Sequence, residues 1–419
     1  MNPIRKKPFP IYNPIGIEEE KAVMKVIKSG ILSNFIAKHG EFFQGGKIVK
    51  KFETKWAEFH CVKHAITFNS ATSGLIAGLG AMGIQPGDEV LVIGYSMCIS
   101  ATAPLFYDAI PVFVDIDSDY FCMDTTKIEQ KITPRTKVIL PVDLFGQSSD
   151  MHQINAIANK YNLKVLNDAA HVPGCQYDSG YAGTFGDIGV YSFNQHKIIH
   201  CGEGGIAVTN DDELALRLQL IRNHAEAVVG DMGYTNLINM LGANFRLGEI
   251  EAAIMIEQLK KLPKLLKKRI ELARYLTDKL SKLEYLTTPV VRENSDHVYY
   301  LYPIKYNENV TGISRQQFVD NMSALGLPLY NLAVGYVKPM YLEPIFLQKQ
   351  KLRNGYPYSL LPESEQPVYE RGLCPIMENL YEKEMIVTAY HYPPLTKSDM
   401  DDIVKVFTKA AINSKKGKN

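Results

Sequence analysis

The sequence predicts an α/β fold: a large domain on a mostly parallel sheet sandwiched by helices, then a smaller C-terminal α+β domain. Three observations predict it. Short apolar runs alternate with helix-period stretches through about the first 210 residues, the pattern of strand–helix–strand units. The length of 419 residues exceeds one typical core. A long helical pattern from Gly248 to Leu283 carries an apolar stripe and a charged face, which suits a helix crossing from one core to another. The boundary is placed near residue 260, giving domains 1–260 and 261–419.

The strand candidates follow in order. HAITF (64–68) runs into the small-residue helix SATSGLIAGLGAMG. EVLVIG (89–94) follows the turn QPGD and precedes ISATAPLFYDA. PVFVDI, KVILPVDL, LKVLND and DIGVYSF come next, with the helix MHQINAIANKYN among them. Pro263 interrupts the long helical pattern, because proline has no N–H for the helix ladder. VYYLYPIKY (298–306) alternates as a strand and is followed by the helix SRQQFVDNMSALG. Residues 327–378 are rich in Pro, Tyr and Leu with weak periodicity and read as loop. SDMDDIVKVFTKAAIN closes the chain's periodic part as an amphipathic helix.

Bulk properties narrow the function. Hydrophobic residues make up 46% and charged residues 22%, an ordinary globular balance. Lys+Arg 46 against Asp+Glu 45 leaves a formal charge of +1, so nucleic acid is not an expected partner. The six cysteines show neither a CxxC pair nor metal-ligand spacing, which fits reduced thiols in the cytoplasm and no metal site. The N-terminus MNPIRKKPFPIYNP has no apolar run behind its basic residues, and no window approaches a membrane span, so a cytoplasmic chain with no membrane partner is expected.

Four segments fall just beyond strand ends, where a parallel sheet places ligand sites. SATS (70–73) puts Ala71 and the Thr72 hydroxyl at a helix start, which suits a phosphate, or is a plain N-cap. Asp168 ends LKVLND; a carboxylate at a buried strand end needs a partner, either the following turn or a protonated ring nitrogen. His171 follows in the same loop. In YSFNQHKIIHCGEGG, Ser192 ends a strand and Lys197 precedes a glycine-rich turn; a lysine amine desolvated in a pocket becomes a nucleophile toward carbonyls. LGANFR (241–246) offers Asn244 as a hydrogen-bond donor, or is a turn before the long helix. Together, a phosphate nest, a strand-end Asp and a lysine 29 residues later meet the needs of pyridoxal 5'-phosphate: an anion site, a carboxylate on its pyridine nitrogen and a Schiff-base lysine.

Over nearly its whole length the chain resembles the DegT family of pyridoxal-phosphate-dependent sugar aminotransferases, of the aspartate-aminotransferase-like fold. The resemblance is densest in VKHAITFNSATSGL, ITPRTKVILPVDLFGQSSDM, NDAAH, GDIGVYSF, GEGGIAVTND and GANFRLGEIEAAI. It implies a seven-stranded sheet, Lys197 of the SFxxxK segment as the Schiff-base lysine, Asp168 on the pyridine nitrogen, and His171 by the ring oxygen. It further implies that Ala71, Thr72 and Ser192 hold the phosphate, with Asn244 reaching in from a neighbouring subunit of a homodimer. The implied reaction moves an amino group from glutamate or glutamine to a keto-sugar, usually nucleotide-linked, for surface glycans or related products.

Three departures stand out. YSMC puts Met97 where the family often stacks an aromatic on the cofactor ring. The insertion-like NFIAKHGEFFQGG is placed to shape the substrate entrance, and Gly335 of GYVKPMY stands where a substrate-side His is frequent. Family members that dehydrate a sugar carry His in place of the lysine. Counting from SF, the position falls on Lys197 and not His196, which favours transamination over a dehydratase or a non-catalytic regulator of the same fold.

Overall fold

The computed structural model describes residues 2–5, 7–329 and 332–412. Seven strands form the main sheet: β1 (His64–Phe68), β2 (Glu89–Val92), β3 (Ile110–Phe113), β4 (Thr136–Leu140), β5 (Lys164–Asp168), β6 (Ile188–Ser192) and β7 (Gly205–Thr209). Their order is β1-β7-β6-β5-β4-β2-β3. β7 runs antiparallel to both neighbours, while the contacts from β6 across to β3 are parallel. Almost every residue of β2, β4, β5 and β6 is buried, as expected for strands covered on both faces. β7 is absent from the sequence-predicted strands, because its glycine-rich lead reads as a turn and leaves only three residues of apolar run, Ile206 to Val208.

The helix Ala71–Ala81 between β1 and β2 is buried over nine of its residues. Its small side chains let it lie close to the sheet: a Cβ at Gly74 or Gly78 would meet Val190 or Leu166 at 2.8 Å. Gly205 has a stricter role. A side chain there would sit 2.5 Å from the Ala71 amide, so β7 approaches the start of this helix only as glycine.

The long helix spans Glu249–Leu280 without a break at Pro263. Proline removes one ladder bond, and Leu259, Leu262 and Leu266 around it are buried in the main core, which holds the helix straight through that loss. Farther along, Leu272, Ala273, Leu276 and Leu280 belong to a second core, so the chain passes between cores within one helix. That second core lies under a four-stranded antiparallel sheet of Leu286–Thr287, Tyr302–Tyr306, Leu332–Val334 and Met385–Thr388. The stretch read as loop contains the strand Leu332–Val334 and several short helices, and it buries Tyr341, Phe346, Tyr358 and Tyr369. Among the described residues no helix is long and apolar enough to cross a membrane.

Candidate active site

A cavity of about 440 Å³ opens beyond the ends of β5 and β6. Its walls gather Ser70, Ala71 and Thr72 from one helix start, Ser96 and Met97 from the loop after β2, and Asp168 and His171 after β5. Ser192, Asn194, His196 and Lys197 come from the end of β6 and its loop, Tyr300 from just before the strand Tyr302–Tyr306, and Tyr336 and Val337 from just after Leu332–Val334. Of the eight residues singled out in the sequence, seven therefore line one cavity. Asn244 does not; it is exposed, on a loop paired with Asn223.

Each wall has a local cause. Ser70 caps its helix by accepting from the Ser73 amide at 3.1 Å. The cap reading of SATS thus holds for Ser70, and the Ala71 and Thr72 amides still lack intrahelical acceptors. Ser192 Oγ accepts from the Asn194 amide at 3.3 Å, bending the chain after β6. The Lys197 amide donates to the Asn194 carbonyl at 2.8 Å, which turns the lysine back over the strand ends.

Asp168 is buried, and its carboxylate accepts from Ser100 Oγ at 2.7 Å and from the Ala170 amide at 3.2 Å. Burial pushes this carboxyl above its ordinary range, while Ser100, the Lys197 charge and the Ala170 amide pull it back. Burial also lowers Lys197, to about 8, with Asp168 opposing. A minor but appreciable fraction of this amine is therefore neutral near physiological pH. His171 is held well below the usual histidine range by burial and then by the Lys197 charge, so it is neutral. Its Nδ1 is buried without a partner among the described residues, and its ring stacks on Tyr300 with centroids 4.2 Å apart.

Sequence reasoning missed Ser100, Tyr300 and Tyr336. Ser100 lies in a four-residue helix, Ile99–Thr102, with no motif to mark it. Tyr336 follows Gly335, whose φ of +77° and 2.4 Å Cβ approach to the Tyr381 carbonyl admit only glycine. Tyr336 lines the cavity beside this glycine. Residues 34–46 line neither this cavity nor the one beside it; Phe35 and Phe43 are buried, with the Arg222 guanidinium 4.8 Å over Phe35.

A second cavity of about 1200 Å³ shares His196 and Tyr300 with the first. Tyr12, Asn13, Gln195, His200, Arg269 and Tyr392 complete its polar lining.

The DegT/DnrJ/EryC1/StrS aminotransferase family matches residues 32–390. The chain belongs to that family. It is 36% identical over 303 residues to GDP-perosamine synthase of Caulobacter vibrioides, covering 71% of this chain and 78% of that one. It is 30% identical over 398 residues to the spore coat polysaccharide biosynthesis protein SpsC of Bacillus subtilis, covering 93% and 94%. An aminotransferase structure from Psychrobacter cryohalolentis superposes with a TM-score of 0.82 at 29% identity, over 97% of this chain and 99% of that one.

The enzyme is thus a sugar aminotransferase that uses pyridoxal phosphate. The cavity's donors fit that group: a helix start and hydroxyls for a phosphate, a buried carboxylate for a pyridine nitrogen, an amine of lowered proton affinity, and the unpartnered His171 Nδ1.

Proposed function

We propose that this aminotransferase moves an amino group from glutamate or glutamine to a nucleotide-linked keto-sugar, with Lys197 as its catalytic residue. The observation that carries the reading is that Lys197 and Asp168 line one cavity at the strand ends. Ala71, Thr72 and Ser192 hold the phosphate, Asp168 pairs with the pyridine nitrogen, and His171 lies beside the ring oxygen. Met97, exposed at the cavity rim, packs its thioether over the ring face. Pyridoxal phosphate, when bound, supplies a ring that withdraws charge from the carbon bearing the amine. With that group bound, the free Lys197 amine would be the base that takes the proton from the donor's Cα and the acid that gives it back. An amine of proton affinity near 8 is matched to both directions of that transfer.

The acceptor sugar fits the larger cavity, where three tyrosines offer ring faces and Arg269 a positive charge. The relatives named for perosamine and spore coat polysaccharide synthesis support this substrate class. Asn244 serves the site of a second copy, in a homodimer. Supporting this, the apolar side chains of Ile36, Phe42, Leu237, Ile238 and Leu241 are exposed around its loop, which Asn223 ties to the Ile36 and Phe43 carbonyls.

The experiment incubates the purified enzyme with pyridoxal phosphate, glutamate or glutamine, and a panel of nucleotide-linked keto-sugars. Release of the donor's keto acid in step with a new amino-sugar supports the reading. Keto-acid release with no sugar accepted would overturn the acceptor class.

A further inference from the structure

Tyr300 is built more rigidly than a cavity-wall residue requires. Its carbonyl accepts from Arg269 Nη2 at 3.0 Å, and that of Tyr299 accepts from Arg269 Nε at 3.0 Å and from His391. Arg269 is itself buried on the long helix. On the other side, Gly146 lies so close that a Cβ there would sit 2.7 Å from the Tyr300 amide. The Leu301 amide donates to the Phe145 carbonyl at 3.2 Å. Backbone is thus clamped before, at and after this residue. The ring is fixed as well, by stacking on His171. Over its face stands Lys197 Nζ, 4.5 Å from the centroid.

We propose that the Tyr300 ring face is the resting place of the Lys197 ammonium, making Tyr300 the positioning residue that sustains this amine's charged form against burial. The inference rests on Lys197 being the reacting amine. A cation over an aromatic face within about 6 Å is attracted by the ring's quadrupole, and the attraction strengthens when water is excluded. The other groups facing Lys197 cannot supply the same hold. Asp168 is its one anionic partner from the strand ends, and it already answers to Ser100 and Ala170. His171 is neutral and supplies no counter-charge. Tyr336 is a neutral phenol, and His196 and Glu203 lie exposed on the lysine's own loop. Tyr300 itself stays neutral, its hydroxyl pushed up to about 12 by burial. Whenever the amine is free of the cofactor, the ring keeps it beside the reacting carbon and away from the larger cavity, whose wall the same ring forms.

The test reads the amine directly. The full-length chain, cleared of cofactor, is labelled with trace acetic anhydride across a pH series, and acetylation of the Lys197 peptide is followed by mass spectrometry. The wild-type midpoint is expected near 8. Tyr300→Phe keeps the π face and should keep that midpoint. Tyr300→Leu keeps the burial and removes the face, so the midpoint should fall by about one pH unit, a tenfold fall in the ammonium-to-amine ratio at fixed pH. Trifluorophenylalanine at position 300 preserves the shape while draining the ring face, and should lower the midpoint relative to Phe. It decides the matter alone if the Leu variant does not fold. Midpoints that stay put or rise in the Leu and fluorinated proteins would overturn the proposal. Borohydride fixation of pyridoxal phosphate reports separately on whether Lys197 is the reacting amine, so failure of that reading is distinguishable from failure of this one.

Discussion

Replacing Ser100 with Ala removes one hydroxyl that is fully buried and whose acceptor is Asp168 Oδ2 at 2.7 Å. A hydrogen bond to a buried charged group is worth about 1.5–3 kcal/mol. Its loss raises the Asp168 carboxyl further, because the hydroxyl was one of the groups pulling it down. The direction matters for stability. The folded-state carboxyl already lies above its ordinary range, so its contribution is intact below the unfolded pKa and is lost as pH rises through the folded pKa. Removing Ser100 widens that loss, because only the ionised form was held by the hydroxyl. Urea unfolding of the cofactor-free protein, run at several pH values from about 5 to about 9, therefore shows a deficit that grows with pH. The deficit approaches about 1.5–3 kcal/mol at the alkaline end. A deficit that is flat across the series, or below about 0.5 kcal/mol throughout, would refute the coupling of Ser100 to the charged Asp168.

Three further outcomes follow from the same geometry. Asp168→Asn keeps the shape and removes the anion, so turnover should fall by about 10²-fold or more with the fold retained; near-normal rates would remove its role at the ring nitrogen. Arg269→Met strands the Tyr300 carbonyl and leaves that of Tyr299 to His391 alone, so at about 1–3 kcal/mol for the stranded group it should cost about 1–3 kcal/mol in urea unfolding. A cost below 0.5 kcal/mol would show that the clamp does not hold the junction between the cores. Inactive Asn244→Ala and Lys197→Ala chains, mixed and reassociated, should regain roughly a quarter of wild-type activity, since each mixed dimer rebuilds one whole site. No recovery would place Asn244 outside the partner's site.

Much of this was legible in the sequence, and the parts that were not share a physical reason. Asp168, His171, Ser192 and Lys197 could be read because each sits at the end of an apolar run, and the ends of parallel strands converge on one edge of the sheet. Tyr300 could not. VYYLYPIKY presents four tyrosines in strand-like alternation, but the strand begins only at Tyr302. Tyr299 takes a left-handed φ of +50°, and this turn sends the next ring into the cavity. Nothing local encodes that turn; it depends on Arg269, His391 and Gly146 arriving from distant parts of the chain. The 34–46 stretch misled for a related reason. Its apolar residues fit an entrance lip as well as a packed loop, and Arg222, more than 170 residues away, decides for packing by sitting over Phe35.

The central claim is that Lys197 is the amine that takes the cofactor. Its most direct test reduces the enzyme–pyridoxal phosphate mixture with borohydride and maps the labelled peptide. The account predicts one fixed pyridoxyl group, on Lys197 in YSFNQHKIIHCGEGG, and none in Lys197→Ala. A label on any other lysine, or undiminished labelling of the variant, would contradict it.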